Sequence, residues 1–541
     1  MSPLIPLAIL LVGTGALLVS LSPRFPYAGG IAITTALLAL LTLLSLPLFG
    51  LPVGATLSDW APDSLLPTAL MLEVDVLAWL FALATVTLTL AALLTGLVRP
   101  GGRRIISRGA MLALTLVGLI AYFSDNLITR LLAWAGLDLV YFLALALLAR
   151  GERLPQQAAL SLSVNSVGTL LMLVAAILIG RSGAPLTLRD ALLTPGPALL
   201  ITVAAILRLG LFPLHLSLPV DANIRQGLGT LLRLIPAGVA LETVARLAVF
   251  DSAGPLRPML TIFGVAATLV GALQLWNTAD VRQGLVYVVI AQSGVALLAG
   301  LWGVSPTALP LAGQTLALIL GGGLIYLSKD FDEQHRWLAL FPALGAATLM
   351  GLPFTIGFVS LNGLYAGLLQ GGPGLWMVLA LVCLGQALLA AGLLRAVFWP
   401  GEPVETTPLL RAGYMAGLSL LAVFVVFTAV LIGVLGSRLG APDGGWFGFS
   451  GPSSLASLGL VALTAAAGVG VWRFEQLTRA STESVAGLIV SLLRLEWLYR
   501  LMWSAVRLLS SAINLVGEVL EGEGALLWTL AIVLAVVLLF R

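Results

Sequence analysis

About sixteen apolar runs, each near the twenty residues that carry a helix across a bilayer, take up almost the whole chain, and no other feature restricts its fold as much. They fall at roughly 3–21, 27–49, 76–97, 109–124, 127–149, 156–180, 198–219, 226–249, 258–276, 283–302, 309–328, 338–370 (interrupted), 375–398, 409–437, 453–472 and 525–540. With no water to bond, a backbone inside lipid must satisfy its own polar groups, so such runs fold as helices. Charged residues make up only 9% of the 541 and hydrophobic ones 60%, a balance outside the soluble range. The first run, Pro3 to Leu21, has no basic leading segment and no small-residue cleavage site, and reads as a retained span.

Two of the runs are interrupted. Arg208 to Asp221, RLGLFPLHLSLPVD, sets a cation, His215 and two prolines at membrane depth. A charge there costs about 2.5–3.5 kcal/mol on the mildest scales, and Pro213 and Pro219 free carbonyls that need partners in a protein or water-lined interior. Five spans later, Gly351 to Phe358, GLPFTIGF, repeats the interruption. Paired breaks predict two inverted repeats of five helices with a site at each break. The expected organisation is N-terminal spans over 1–108, a first inverted repeat over 109–249, a second over 250–398, additional spans over 399–472, an amphipathic lateral helix over 473–524 and an anchor span over 525–541. Arg494, Glu496, Arg500 and Arg507, with Trp497, Tyr499 and Trp503 at headgroup level, mark the lateral helix as interfacial. The predicted fold is therefore an all-α polytopic membrane protein.

Charge placement sets the topology and narrows the chemistry. Arg24, Arg99, Arg103, Arg104, Arg108, Arg150, Arg153, Arg225, Arg282, Lys329 and Arg336 follow odd-numbered spans, whereas Asp59, Asp63 and Asp125 follow even ones. That bias puts odd loops in the cytoplasm and both termini outside, although Arg181, Arg189 and Arg257 lie in even loops. The net charge of +3 belongs to these short loops and implies no nucleic acid. One cysteine, Cys383, excludes an intrachain disulfide and an all-cysteine metal cluster, and two histidines in separate segments argue against a bis-histidine haem. No cofactor is expected in this chain.

Several stretches, in order and spacing, resemble the antiporter-like membrane subunits shared by respiratory complex I, membrane-bound hydrogenases and Mrp-type cation/proton antiporters. They are LEVDVLAW around Asp75, SDNLITRLLAWAGLDLV from Ser124, RLGLFPLHLSLP from Arg208, DVRQGLVYVVIAQSG from Asp280, LILGGGLI from Leu318 and GLPFTIGF from Gly351, covering about residues 70–400. The resemblance implies a carboxylate at Asp138 on the fifth span, a cation at Arg208 before the first break, a second at Arg233 on the eighth span, and His215 in the matched FPLH. Where the family carries lysines this chain carries arginines, which do not release their protons. Where the family has an ionisable residue after the second break, Leu361 stands beside Asn362, and ahead of the glycines of the eleventh span stand Gln314 and Thr315.

Each residue admits two readings. Asp138 with Arg208 is either a charge pair whose separation gates a proton or a buried pair that fixes helix register. His215 either shuttles a proton or satisfies carbonyls freed by the break. Arg233 binds backbone or a carboxylate such as Glu242. Glu242 and Arg246, at i and i+4, read as a local pair. Gln292 is a polar residue able to hold water, and Gly321 to Gly323 pack helices closely. The implied function is an antiporter-like subunit of a larger membrane complex of the complex I, hydrogenase or Mrp kind, moving protons or coupling their movement to a partner's chemistry in an energy-transducing membrane such as a bacterial inner membrane. The alternatives are a non-conducting scaffold subunit and a membrane partner in proton-driven inorganic-carbon uptake. No catalysis is expected of the chain alone.

Overall fold

The computed structural model describes residues 4–21, 27–58, 70–98, 104–148, 154–183, 186–188, 194–211, 226–246, 256–278, 284–303, 309–328, 337–398, 407–435, 452–476 and 478–479, with three isolated positions beyond 480. The chain divides into two compact units, 1–480 and 481–541. The expected lateral helix lies almost wholly, and the anchor span and His215 entirely, outside the described residues.

Sixteen helices account for nearly all described residues of the first unit: α1 (Leu4–Leu21), α2 (Ala28–Ser45), α3 (Val76–Thr95), α4 (Arg104–Phe123), α5 (Leu127–Leu148), α6 (Leu154–Arg181), α7 (Pro195–Leu209), α8 (Gln226–Arg246), α9 (Arg257–Asn277), α10 (Gly284–Trp302), α11 (Leu309–Leu327), α12 (Leu340–Leu349), α13 (Ile356–Gln370), α14 (Pro373–Val397), α15 (Pro408–Leu435) and α16 (Pro452–Arg473). Thirteen are long and apolar enough to cross a membrane. The three short apolar ones are α7, α12 and α13, which are the pieces of the two interrupted spans. The chain is an integral, all-α polytopic membrane protein.

The strictly helical expectation missed one element. Strands β1 (Val53–Ser58) and β2 (Leu70–Val74) pair antiparallel, and Leu72 bridges onward to Ser124. These segments are too short to register as apolar runs, and they cap one end of the bundle where α3 and α5 begin. Asp75 caps α3 by accepting from the Ala78 amide at 2.8 Å, and Asn126 Oδ1 accepts from the Thr129 amide at 2.7 Å to cap α5.

Both breaks end their helices by the same hydrogen-bond pattern. Gly210 takes φ +59° and Gly351 takes φ +66°, the left-handed conformation that glycine adopts without penalty. Gly210 N donates to Leu207 O and Leu211 N to Ile206 O; likewise Gly351 N donates to Thr348 O and Leu352 N to Ala347 O. Each is a Schellman cap, fixed by a Gly-Leu dipeptide at the end of the helix.

The helices pack in two closed sets. α4 to α8 each lie against the next and α8 returns to α4; α9 to α14 do the same and α14 returns to α9. α8 and α11 are buried along their whole length, and α3 and α10 nearly so. Small residues permit this in lipid, where helices have no hydrophobic drive to associate and close approach supplies the attraction. The three glycines of α11 face three directions: Gly321 meets Gly345 of α12, Gly322 meets Leu234 of α8 and Gly323 meets Leu88 of α3. A Cβ on Gly345 would lie 2.6 Å from the Gly321 carbonyl oxygen. Gly345→Leu is therefore expected to force α11 and α12 apart at a cost of about 1–3 kcal/mol or more, read as a lower melting temperature of the detergent-solubilised protein; an unchanged melting temperature would refute this contact.

Candidate functional site

Polar residues inside the bundle gather in separate places rather than one continuous line, three of which hold the residues singled out from sequence; elsewhere the buried Arg395 of α14 donates to the Trp276 and Thr278 carbonyls and lies 3.2 Å from Glu475. The first joins α5, α6 and the last turn of α7. Arg208 Nη1 lies 2.8 Å from Asp138 Oδ1, and Nη2 donates to Oδ2 at 2.9 Å, so the guanidinium spans both carboxylate oxygens. Thr169 of α6 donates to the same Oδ2 at 2.9 Å and accepts from Arg208 Nη2 at 3.3 Å. Arg208 also stacks 4.2 Å above the Trp134 ring, a cation–π contact that covers one of its faces. Asp138 and Arg208 are 4% and 3% exposed, so water cannot replace these partners.

These contacts follow from helix periodicity. Arg130, Trp134, Asp138 and Tyr141 recur at i+4, i+8 and i+11 and share one face of α5; Ser161, Asn165 and Thr169 form a matching polar stripe on α6. The stripe on α6 is the signal that would have found Thr169 from sequence.

Beside the pair is a cavity with about 10 Å³ of space for water, lined by Arg208, Arg233, Tyr141, Asn165, Leu232 and Pro236 among others. That is room for about one water molecule. Pro236 has no amide hydrogen, so the Leu232 carbonyl loses its helical donor at the cavity wall. Asn165 Oδ1 and Arg208 Nε are buried with no hydrogen-bond partner among the described residues. Asn165, Tyr141 and the two arginines thus give this water-sized space polar walls. Arg233 belongs to this cavity and not, as the sequence allowed, to Glu242.

Glu242 sits in the second cluster, at the opposite end of α8. It pairs with Arg130 of α5, which also donates to Thr243 Oγ1 at 2.8 Å and to the Ser124 carbonyl at 3.2 Å. Arg246 Nε lies 2.8 Å from the other Glu242 oxygen, the local pair expected from spacing, and its Nη2 reaches Asp75 Oδ1 at 2.8 Å. Two arginines and two carboxylates alternate, so the cluster is neutral and ties the starts of α3 and α5 to the end of α8. Arg130 was legible only as one more charge in a span.

In the third place, on α10 to α12, the polar groups carry no charge. Gln314 Nε2 donates to Gln292 Oε1, and Gln292 Nε2 donates to the Leu349 carbonyl at 2.8 Å. Leu349 O needs that donor because α12 ends there, leaving its last carbonyls without helical partners. Asn362 does not join this pair; its Oδ1 accepts from Ser457 of α16. Leu361 is buried among apolar residues. Among the described residues no cluster of metal-ligating side chains occurs.

No protein-family profile matches the sequence. The chain is 26% identical over 359 residues to NADH-quinone oxidoreductase subunit N of Salinispora arenicola, spanning 58% of this chain and 68% of that one. It is 30% identical over 171 residues to NADH-ubiquinone oxidoreductase chain 2 of Scyliorhinus canicula, 30% of this chain and 47% of that one. Three solved structures share its fold. A chain of the archaeal membrane-bound sulfane sulfur reductase superposes with a TM-score of 0.75 at 18% identity, covering 98% of this chain and 99% of that one. A chain of the Mrp complex from a Dietzia species gives 0.72 at 21%, covering 95% of this chain and less than two thirds, 63%, of that one. Respiratory complex I from Thermus thermophilus gives 0.66 at 22%, covering 84% and 99%.

Removing one partner of a fully buried pair leaves an uncompensated charge, so Arg130→Met is expected to cost about 3–5 kcal/mol. Arg130→Met with Glu242→Gln should recover part of that loss in thermal melting of the purified protein; no recovery would mean the two side chains are not coupled. The chain is thus similar in sequence to NADH-quinone oxidoreductase subunit N and shares its fold with chains of the Mrp, sulfane sulfur reductase and complex I structures.

Proposed function

We propose that this chain is a subunit of a larger membrane complex of the complex I, hydrogenase or Mrp kind, and that it takes part in proton movement through the set α4–α8. The observation that carries this reading is the Asp138–Arg208 pair beside a water-sized cavity that continues to Arg233. Arginine keeps its proton in proteins, so Arg208 and Arg233 act as fixed positive charges and the group that changes charge is the Asp138 carboxylate. When Asp138 takes a proton the pair loses its attraction, and Arg208 turns toward the cavity it already lines, where Asn165 Oδ1 and the Leu232 carbonyl stand as acceptors. Loss of the proton reverses the movement. His215, in the segment that follows Arg208, fits a role as proton donor or acceptor on this path.

The complex would lie in an energy-transducing membrane, such as a bacterial inner membrane, with both termini of this chain extracytoplasmic. Electron transfer in it would belong to partner subunits, with no redox cofactor proposed for this chain. A scaffold subunit that conducts nothing is the second reading, favoured by the neutral Gln292–Gln314 pair where the other set holds charges.

Proton movement by the purified complex in proteoliposomes, followed with an internal pH dye, separates the two. Asp138→Asn is expected to lower it on the order of tenfold or more, the scale on which removing a proton-transfer group acts, while Arg208→Lys, which keeps the charge, retains a larger share. Equal rates in wild type and Asp138→Asn would sink the conducting reading.

A further inference from the structure

The charge site and the amide pair occupy corresponding places in the two closed sets of helices. Asp138 lies on the second helix of its set, α5, and Gln292 on the second of the other, α10. Thr169 on α6 bonds Asp138, as Gln314 on α11 bonds Gln292. The third partner comes from the helix that breaks. Arg208 stands two residues before Gly210, and Leu349 stands two residues before Gly351, the two glycines that close identical Schellman caps. Asp138 takes its donor from the Arg208 side chain; Gln292 gives its own donor to the Leu349 carbonyl. Each set thus has a second-helix side chain bonded to a third-helix side chain and to the last turn before the break.

We infer that Gln292, Gln314 and the Leu349 carbonyl are the uncharged counterpart of the Asp138–Thr169–Arg208 site, and that this counterpart is a proton-tight plug closing the second set. Gln314 donates to Gln292 and Gln292 to the Leu349 carbonyl, all three residues are fully buried, and none of these groups binds or releases a proton near neutral pH. Replacing a charge pair by hydrogen-bonded amides removes the desolvation cost of ions while keeping the break's carbonyl satisfied. The role as plug rests on the proton-moving role of the first set; the correspondence of the two sites does not.

Two measurements on the intact complex test the two parts separately. For the correspondence, Gln292→Glu and Leu349→Arg each place an unpaired charge in the core, and each is expected to lower the melting temperature, while the double variant recovers at least half of the combined loss because its charges pair as Asp138 and Arg208 do. A double variant no more stable than the sum of the singles overturns the correspondence. For the plug, proton movement in proteoliposomes is compared in Asp138→Asn, in Gln314→Leu, which leaves the Gln292–Leu349 bond in place, and in Gln292→Met with Gln314→Met. Wild-type rates in both glutamine variants, with a loss in Asp138→Asn, are the expected result. A loss in the glutamine variants with the melting temperature kept puts the amides on the path and overturns the plug. If Asp138→Asn and the glutamine variants all run at the wild-type rate, it is the conducting role of the first set that fails, and with it the plug, while the melting measurement still decides the correspondence.

Discussion

An arginine that cannot shed its proton, held at membrane depth, needs a permanent counter-charge, and the arrangement of α5, α6 and α7 answers that need. Arg208 lies in the last turn of α7, two residues before the Gly210 cap, and is buried among α5 and α6. Asp138 supplies the charge, Thr169 fixes one oxygen of the carboxylate, and Trp134 covers a face of the guanidinium that no hydrogen bond can reach. In lipid each of these partners matters more than it would in water, since nothing outside the protein substitutes for it.

A second charge cluster at the other end of α8 follows a different rule. Arg130, Glu242, Arg246 and Asp75 alternate in sign, and every carboxylate oxygen that is named in the network faces a guanidinium. Such a network has no single group whose protonation leaves the rest undisturbed. It behaves as a clamp, joining the β1–β2 end of the bundle to α8, whereas the Asp138 site borders open space. The contrast between a closed neutral network and a charge pair next to a water-sized void is what separates a structural element from a candidate mover of protons.

Much of this architecture was legible because lipid simplifies the physics. Apolar runs must be helices, so the spans and both breaks could be placed from sequence, and Gly-Leu followed by proline marked where each break falls. Asp138 and Arg208 were named by resemblance, and their pairing follows from both being buried charges of opposite sign. What the sequence hid were contacts between helices that are distant along the chain. Thr169 is one threonine among many until α6 is turned against α5; Arg130 finds Glu242 only once α5 and α8 join one set; Gln292 and Gln314 were both singled out, yet nothing in the sequence pairs two residues on separate helices. Asn362, next to Leu361, was a candidate for the second site, yet α16 claims it through Ser457. The β1–β2 pair escaped because six- and five-residue strands leave no trace in a reading tuned to twenty-residue runs.

The two breaks show how a repeated backbone device can serve two chemistries. A Schellman cap fixes where the helix stops and which way the next residues leave, and it does so with glycine and main-chain hydrogen bonds alone. The side chains two positions earlier are then free to differ: an arginine in one set, a leucine whose carbonyl is satisfied by glutamine in the other. Because the cap bears the geometry, exchanging ions for amides leaves the helix ends in place. A membrane subunit with a charged pair at one break and neutral amides at the other is therefore reachable by changing a few side chains while the fold of both halves is retained.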